Sequence, residues 1–282
     1  MYVRVSIQMR GVFDYQDIRT RWYNAEMKIL SWNVNGLRSL EKSGDWQRLL
    51  ALGVDIICLQ ETKSEEEQLS DIVRKPEGYY SFFSSSRTRK GWSGTALYSK
   101  QEPRTVAFGI GTHRFDQEGR LIIAKYKDFT LFNVYFPNGG QGPERLEFKL
   151  EFYDAFLAYI KKLHKRGEPI IFCGDVNTAH EEMDLARPHE NEHRTGFLPE
   201  ERAWIDEVVN QGYLDVFREI YPLKKDVYTY WDMKSHARER NVGWRLDYFF
   251  VSRDLQKKIR GFSTLEEMMG SDHCPIVLEL KK

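Results

Sequence analysis

Apolar residues in this chain come in short runs that turn residues separate. From residue 28 onward the runs KILSWNV, VDIICLQ, GTALYS, LIIAKY, TLFNVYF, PIIFCGD, LDYFFVS and PIVLEL stand out. Many carry β-branched or aromatic side chains, as strands should. Helical patterns lie between some of them. The clearest runs from Pro143 to about His164, with Leu146, Leu150, Tyr153, Leu157, Ile160 and Leu163 at the spacing of one helix face. Pro143 suits a first helical turn, and Gly167 lies just past the end. A second pattern, PEERAWIDEVVNQG, is entered by Pro199 and stopped near Gly212. Strands outnumber helices, and only some connections hold a helix. The expectation is an α/β fold of two mixed β-sheets with outer helices rather than a doubly wound parallel sheet.

Residues 1–26 break this pattern. They mix charges and aromatics without a sustained period, and Met27 then opens a clean strand. They read as an N-terminal extension without fixed structure, with Met27 a candidate start; a short ordered appendage is the alternative. After residue 27 there is no low-complexity linker and no evident repeat, so residues 27–282 read as a single catalytic domain.

The polar residues at the ends of the apolar runs carry the chemistry. KILSWNVN ends in Asn33 and Asn35, VDIICLQE in Glu61, TLFNVYFPN in Tyr135 and Asn138, and IIFCGDVN in Asp175 and Asn177. Asp247 lies within RLDYFF, and Asp272 and His273 directly precede CPIVLEL. One acid at a strand end is ordinary, since it caps a turn or meets water. Several together are costly to bury unless a cation compensates them. Hard oxygen donors without a Cys/His cluster point to Mg2+ or Mn2+ rather than zinc. Glu61 is the first candidate ligand. Asp175 and Asn177, two apart on a segment expected to be extended, point the same way. One can take a proton from water while the other holds that water. His273 offers an imidazole, which Asp247 can orient; the plain alternative for His273 is a satisfied structural histidine.

Composition narrows the class. The 282 residues are 41% hydrophobic and 30% charged, the balance of a folded globular chain. No apolar run nears the ~20 residues that cross a bilayer, and the first residues lack the apolar core and cleavage site of a secretory signal. A cytoplasmic protein with no membrane partner is expected. Net charge is zero, which argues against DNA binding by bulk charge and leaves room for a local basic surface. Cys58, Cys173 and Cys274 sit in or beside apolar runs and contain no CxxC pair, so reduced, buried thiols are expected and a zinc site is not.

At these residues the chain resembles the exonuclease III family of abasic-site (AP) endonucleases, within the endonuclease/exonuclease/phosphatase superfamily. The matching segments are SWNVNGLR, LQETK, GWSGTALYS, NVYFPNGG, GDVNTAH, GFLPEERAW, NVGWRLDYFFVS and GSDHCPI, in the family's order across residues 28–282. LQETK and SDHCP mark the wider superfamily, while GFLPEERAW and NVGWRLDYF mark its DNA-repair branch. The resemblance implies a four-layer α/β sandwich like that of deoxyribonuclease I. It implies Mg2+-dependent cleavage of the DNA backbone 5′ to abasic sites, leaving a 3′-hydroxyl and a 5′-deoxyribose phosphate, by a monomer acting on double-stranded DNA. Glu61 resembles the metal-binding glutamate, with Asn35 and Asp272 near the metal. Asp175 resembles the residue that positions or deprotonates the attacking water, and Asn177 orients it. Asn33, Tyr135, Asn138 and His273 resemble groups around the scissile phosphate, and Asp247 the aspartate paired with that histidine. Some relatives carry Asp at the position of Asn35, which weakens the case for a second ion.

Two loops are candidate DNA surfaces: RTRKGW, with Arg87, Arg89, Lys90 and Trp92, and KSHARERNVGWR, from Lys234 to Arg245. Arg38, Lys63 and Gln141 complete the expected DNA contacts. Tyr230, Trp244 and Leu246 correspond to an apolar pocket for a flipped-out sugar without its base; ordinary core packing is the alternative. Two rival readings are disfavoured, the first by the segments NVGWRLDYF and GFLPEERAW and the second by competent residues at every expected catalytic position. Inositol-phosphate phosphatases, sphingomyelinases and general deoxyribonucleases share the catalytic set, and a decayed, non-catalytic DNA-binding protein would share the fold. The resemblance also implies side activities that family members carry to different degrees: 3′→5′ exonuclease, 3′-phosphatase or phosphodiesterase, and incision at uridine or damaged bases.

Overall fold

Two six-stranded sheets organise the chain, and each is built around one parallel pair. The computed structural model describes residues 27–281, so the extension expected over residues 1–26 lies outside the described residues. The first sheet comprises β1 (Met27–Asn33), β2 (Ile56–Gln60), β3 (Tyr80–Ser84), β4 (Thr95–Ser99), β11 (Ile259–Thr264) and β12 (Ile276–Leu280). The second comprises β5 (Thr105–Phe108), β6 (Leu121–Lys125), β7 (Thr130–Tyr135), β8 (Ile170–Asp175), β9 (Tyr213–Asp215) and β10 (Asp247–Ser252). Their orders are β11-β12-β1-β2-β4-β3 and β5-β6-β7-β8-β10-β9. Only β1/β2 and β7/β8 run parallel; every other neighbour is antiparallel.

A parallel pair needs a crossover. Helices Leu37–Lys42 and Asp45–Ala51 supply it between β1 and β2, and the long helix Pro143–His164 supplies it between β7 and β8. The middle strands are buried on both faces, which is why they read as continuous apolar runs rather than alternating ones. Ile29, Ile56, Cys58 and Leu97 of the first sheet meet Leu131, Ile171, Cys173 and Phe249 of the second in the inner core. Leu30, Ile57 and Leu59 face the other way, onto Leu40, Trp46 and Leu49 of the short helices. Phe132, Phe172 and Phe250 likewise face Phe152, Phe156, Trp204 and Ile205 of the long helix and the helix Pro199–Asn210. The expected four-layer α/β sandwich is therefore present. All three cysteines are free and buried. No helix of the described residues is long and apolar enough to cross a membrane.

Eight strands match the eight apolar runs. The four that the pattern misses are β3, β5, β9 and β11, which are the four sheet edges. β3 and β11 are largely part-exposed, β5 is mostly exposed, and β9 has only three residues. A half-solvated or very short strand needs no apolar run, so nothing marks it. The long helix has the expected bounds, but its face is shifted. Phe148, Lys149, Phe152, Tyr153, Phe156, Leu157 and Ile160 are buried, whereas Leu146, Leu150 and Leu163 are only partly so. The aromatic residues, with the larger area to bury, take the centre of the contact.

Where the parallel pairs approach the site, polar side chains cross between the sheets. Gln60 Nε2 donates to Asn133 Oδ1 at 2.8 Å and to Ser31 Oγ at 3.0 Å. Asn133 Nδ2 donates to the carbonyls of Ala96 and Leu59 at 2.8 and 3.1 Å. Both side chains are fully buried, and they fix the register of β7 against β2 and β4. Asn133→Ala removes these donors and acceptors together and is expected to lower stability by roughly 2–4 kcal/mol. Chemical denaturation checks this; a loss no greater than that of an exposed alanine substitution would show that the crossing contributes nothing.

Candidate active site

The parallel pairs end on the same side of the sandwich, and the chemistry gathers there. Asn33 closes β1, Glu61 follows β2, Tyr135 closes β7 and Asp175 closes β8. The antiparallel neighbours begin where these strands stop. Asp247 opens β10 directly opposite Asp175, and His273 lies just before β12, the neighbour of β1. Gly174 permits the close contact behind Asp175: with φ of 139° and a Cβ position 1.8 Å from the carbonyl oxygen of Val134, no other residue fits.

Asn33 ties the two sheets at the site, since its Nδ2 donates to Glu61 Oε1 at 2.9 Å and to Asp175 Oδ2 at 2.8 Å. Tyr135 OH donates to the same Glu61 oxygen at 2.7 Å. Asp175 Oδ1 accepts from the main-chain N of Asn177 at 2.8 Å, and Oδ2 also accepts from Asn177 Nδ2 at 3.2 Å. Asn138 Nδ2 in turn donates to Asn177 Oδ1 at 2.9 Å. The segment after Asp175 is not extended as expected: Asn177 adopts φ of 56°, and this turn is what brings its amide onto Asp175. Asn35, Glu61 and Lys63 also have positive φ. Strained backbone is thus concentrated at this site, where the surroundings hold it in place.

His273 is buried, with Nδ1 2.8 Å from Asp247 Oδ2 and Nε2 3.8 Å from Asp175 Oδ2. Burial disfavours its charged form, but Asp247 and Asp175 outweigh burial and push its pKa up to about 10. It is an imidazolium at neutral pH. Asp175 is pushed up to about 7, chiefly by burial; His273 opposes this, and the negative charges of Asp247 and Glu61 add to it. Burial also works against the charged form of Glu61, but Lys63, Asn33 and Tyr135 hold its pKa below the usual range.

Within this cleft, two groups are candidates to hold a metal. Asp175, Asp247 and His273 each bring a donor atom within 4.8 Å of the others. A ligating histidine must be unprotonated, however, and Nδ1 of His273 is committed to Asp247. The second group fits a hard cation better. Lys63 Nζ lies 2.7 Å from Glu61 Oε2 and also donates to Asn35 Oδ1, so a positive charge already sits between these oxygens. Asn35 Nδ2 donates to Asp272 Oδ1 at 3.0 Å, which places a further carboxylate beside them.

A cavity of about 610 Å³ opens over this array, and Asn35, Glu61, Asn138, Asp175, Asp272 and His273 face it. Asn33, Tyr135 and Asp247 lie beneath. Tyr230, Trp244 and Leu246 form one wall, with the rings of Tyr230 and His273 4.9 Å apart. Leu246 packs with Phe197, Leu185 and Ala179 behind it. The lip beside this wall carries Asn191, Arg194 and Thr195, which have no counterpart among the sequence-based candidates. They lie in the polar stretch NEHRT, which has no periodicity to single them out.

The expected DNA contacts divide. Lys63 lines the cavity. Arg38, Gln141 and Lys234 are exposed in segments adjoining it, and Trp92 is part-exposed beneath the Arg89 guanidinium, 5.3 Å from the ring centroid. Arg245 is a correction. It is buried, with Nε and Nη2 2.8 and 2.9 Å from the two oxygens of Asp184, and Nη2 2.9 Å from Asp215. Asp184 and Asp215 are the partners it needs, and their positions 61 and 30 residues earlier in the chain give no local sign of the pairing. Arg238 in the same loop is also engaged, donating to the carbonyls of Ser271, Glu266 and Met268. These arginines brace the loop that bears Trp244.

A cleft that sets a proton acceptor, a cation-holding carboxylate and an imidazolium around one point suits the hydrolysis of an anionic ester. Relatives agree with that class. The sequence profile of the endonuclease/exonuclease/phosphatase family matches residues 30–273, and the chain belongs to this family. It is 42% identical to the exodeoxyribonuclease of Bacillus subtilis over 253 residues, covering 89% of this chain and 98% of that one. It is 44% identical to the DNA repair nuclease APEX1 of Danio rerio, covering 91% and 83%. The solved AP endonuclease from Archaeoglobus fulgidus has the same fold, with a TM-score of 0.81, 30% identity and coverage of 91% and 100%.

The dyad makes a pH prediction. Asp247 raises the proton affinity of both His273 and Asp175. Asp247→Asn is therefore expected to move both limbs of the pH–rate profile to lower pH, with the His273 pKa well below that of the wild type. A nuclear magnetic resonance titration of His273 that is identical in the two proteins would break the pairing.

Proposed function

We propose that the chain is a DNA-repair endonuclease that hydrolyses the phosphodiester 5′ to abasic sites in double-stranded DNA, as a monomer. The observation that carries this reading is the junction of two features in one cavity. The hydrolytic array of Asp175, Glu61 and His273 shares its walls with the apolar face of Tyr230, Trp244 and Leu246. A general phosphodiesterase needs the first and has no use for the second.

In the reaction, water attacks phosphorus and the bond to the 3′ oxygen breaks, leaving a 3′-hydroxyl and a 5′-deoxyribose phosphate. Asp175 takes the proton from water. A pKa near 7 suits that task, since the group is available as a base while its conjugate acid still holds the proton. Asn177, held by Asn138 and by Asp175 itself, orients the same water. His273 faces the phosphate as a fixed positive charge, and electrostatic stabilisation of the added negative charge is the largest contribution expected in such a site. Asp247 keeps the imidazole charged and aimed. Asn33 and Tyr135 set the carboxylate of Glu61, and Tyr135 is kept protonated by burial, so it remains a donor. Glu61, Asn35 and Asp272 would hold one divalent ion. The all-oxygen donor set favours Mg2+, with Mn2+ the alternative; when bound, it neutralises phosphate charge as a Lewis acid.

Binding relies on local charge. Lys63, Arg38, Gln141, Lys234 and the Arg89–Trp92 stack are the groups that would meet the backbone around the lesion, gripping it without reading sequence. The uncharged balance of the whole chain makes this grip local.

Cleavage of matched duplexes with an abasic analogue, uracil or normal bases tests the reading; equal rates on all three would replace it with a general nuclease. Asp175→Asn is expected to lower single-turnover cleavage by at least ~10²-fold with DNA binding kept, and Glu61→Gln to raise the Mg2+ concentration needed. Normal rates at limiting Mg2+ in either variant would remove that residue from its role.

Trp244→Ala addresses selectivity. A tight aromatic wall excludes an intact nucleotide by overlap, and flipping an intact base also costs a few kcal/mol of stacking and pairing. The variant should cut abasic DNA less and narrow the gap to undamaged DNA. If Trp244 were only core, the change would cost ~3–5 kcal/mol of stability and lower all activities in proportion. A folded variant with an unchanged ratio would remove Trp244 from the pocket.

A further inference from the structure

The segment GFLPEERAW has no part in the chemistry above, yet its Glu201 is fully buried beside the site. Glu201 stands in the first turn of the helix Pro199–Asn210. Its Oε2 accepts from the main-chain N of Gly196 at 2.5 Å and of Leu198 at 3.0 Å. Its Oε1 accepts from Thr195 Oγ1 at 2.7 Å and from Lys149 Nζ at 2.5 Å. Lys149, on the long helix, is also fully buried. Its ammonium donates as well to the carbonyl of Asn177 at 2.8 Å and to Thr178 Oγ1 at 2.9 Å. Three ammonium protons and four carboxylate positions are all used.

One buried ion pair therefore fixes two sides of the cavity. On one side is the main chain of Asn177, whose left-handed turn must be held. On the other is Thr195–Gly196, which lines the lip. The two meet at Gly196, where a Cβ would lie 3.3 Å from both the Asn177 carbonyl oxygen and Trp244 Cζ3. A purely structural role explains this poorly. Burying an ion pair is a weak source of stability, and apolar side chains of similar volume often serve as well or better.

We propose that Lys149 and Glu201 are positioning residues for phosphodiester hydrolysis, which hold the Asn177 turn so that its amide stays aligned on Asp175 while the lip closes against Trp244. The inference rests on the reading of the cavity as a DNA hydrolase. Neither residue touches the reacting atoms; both act through Asn177 and Gly196.

The test uses the full chain. Lys149→Met combined with Glu201→Gln removes both charges at nearly constant shape. The double variant is expected to melt within about 5 °C of the wild type and to bind abasic duplex in EDTA within about twofold of it. Its single-turnover rate should fall by about 10²-fold, the scale of a small misplacement of catalytic groups. Lys149→Arg keeps a cation able to reach both Glu201 and the Asn177 carbonyl, and should restore most of the rate. A folded double variant with the wild-type rate, or a rate loss matched by an equal loss of binding, would overturn the proposal. If the double variant does not fold, Glu201→Gln alone is read by the same rate-against-binding split. A wild-type chain that cuts no abasic or plain DNA would instead overturn the functional reading, and the inference with it.

Discussion

Burying carboxylates together is the constraint that organises this molecule. Asp175, Asp247 and Glu61 converge at the ends of strands that are otherwise mostly apolar, and the hydrophobic core cannot compensate them. Lys63 compensates Glu61 locally; the rest of the compensation comes from across the sandwich. Asn33 of the first sheet donates to Asp175 of the second, Tyr135 of the second donates to Glu61 of the first, and His273 places one positive charge between two aspartates. Each of these contacts requires the two sheets to sit in one register. The Gln60–Asn133 crossing supplies that register a residue or two below the site. Fold and site are thus one arrangement: the acids are tolerable only in the geometry in which they are useful.

The same geometry sorts the carboxylates by role. Three acids gathered at one site would repel if treated alike. Glu61 is next to an ammonium and two neutral donors, so it stays ionised and suited to a cation. Asp175 is more deeply buried and faces like charges, so its proton affinity rises into the range of a base. Asp247 is spent on the imidazole. Environment rather than residue type makes the division, as it does wherever neighbouring titratable groups have their pKa values pushed apart.

The sequence was most legible where burial was most complete. Strands buried on both faces appear as apolar runs, and the polar residue that ends each run is conspicuous against them; that is how Glu61, Asp175 and Asp247 could be picked out. Edge strands such as β3 and β5 face solvent and leave no comparable trace. The long helix was found by its period, but the period did not say that Phe152 and Phe156 would face the sheet in preference to Leu146 and Leu163. Arg245 is the clearest case in which the fold overrides the sequence pattern. A basic residue in a basic loop looks like a DNA contact, and only the distant Asp184 and Asp215 reveal it as a buried brace. Lys149 and Glu201 were hidden for the same reason: charged residues on amphipathic helices belong to the solvated face until the fold pairs them.

The left-handed backbone at Glu61 and Lys63 has an evolutionary consequence. Glycine adopts that conformation without steric cost, whereas other residues held there store about 1–3 kcal/mol each. Selection for stability alone would therefore drift these two positions toward glycine or asparagine, and on the proposed function it is selection for activity that holds a carboxylate and an ammonium against that drift. A descendant of this chain that had given up catalysis for binding would show its retirement first at residues 61 and 63, with its sheets, helices and cores still intact.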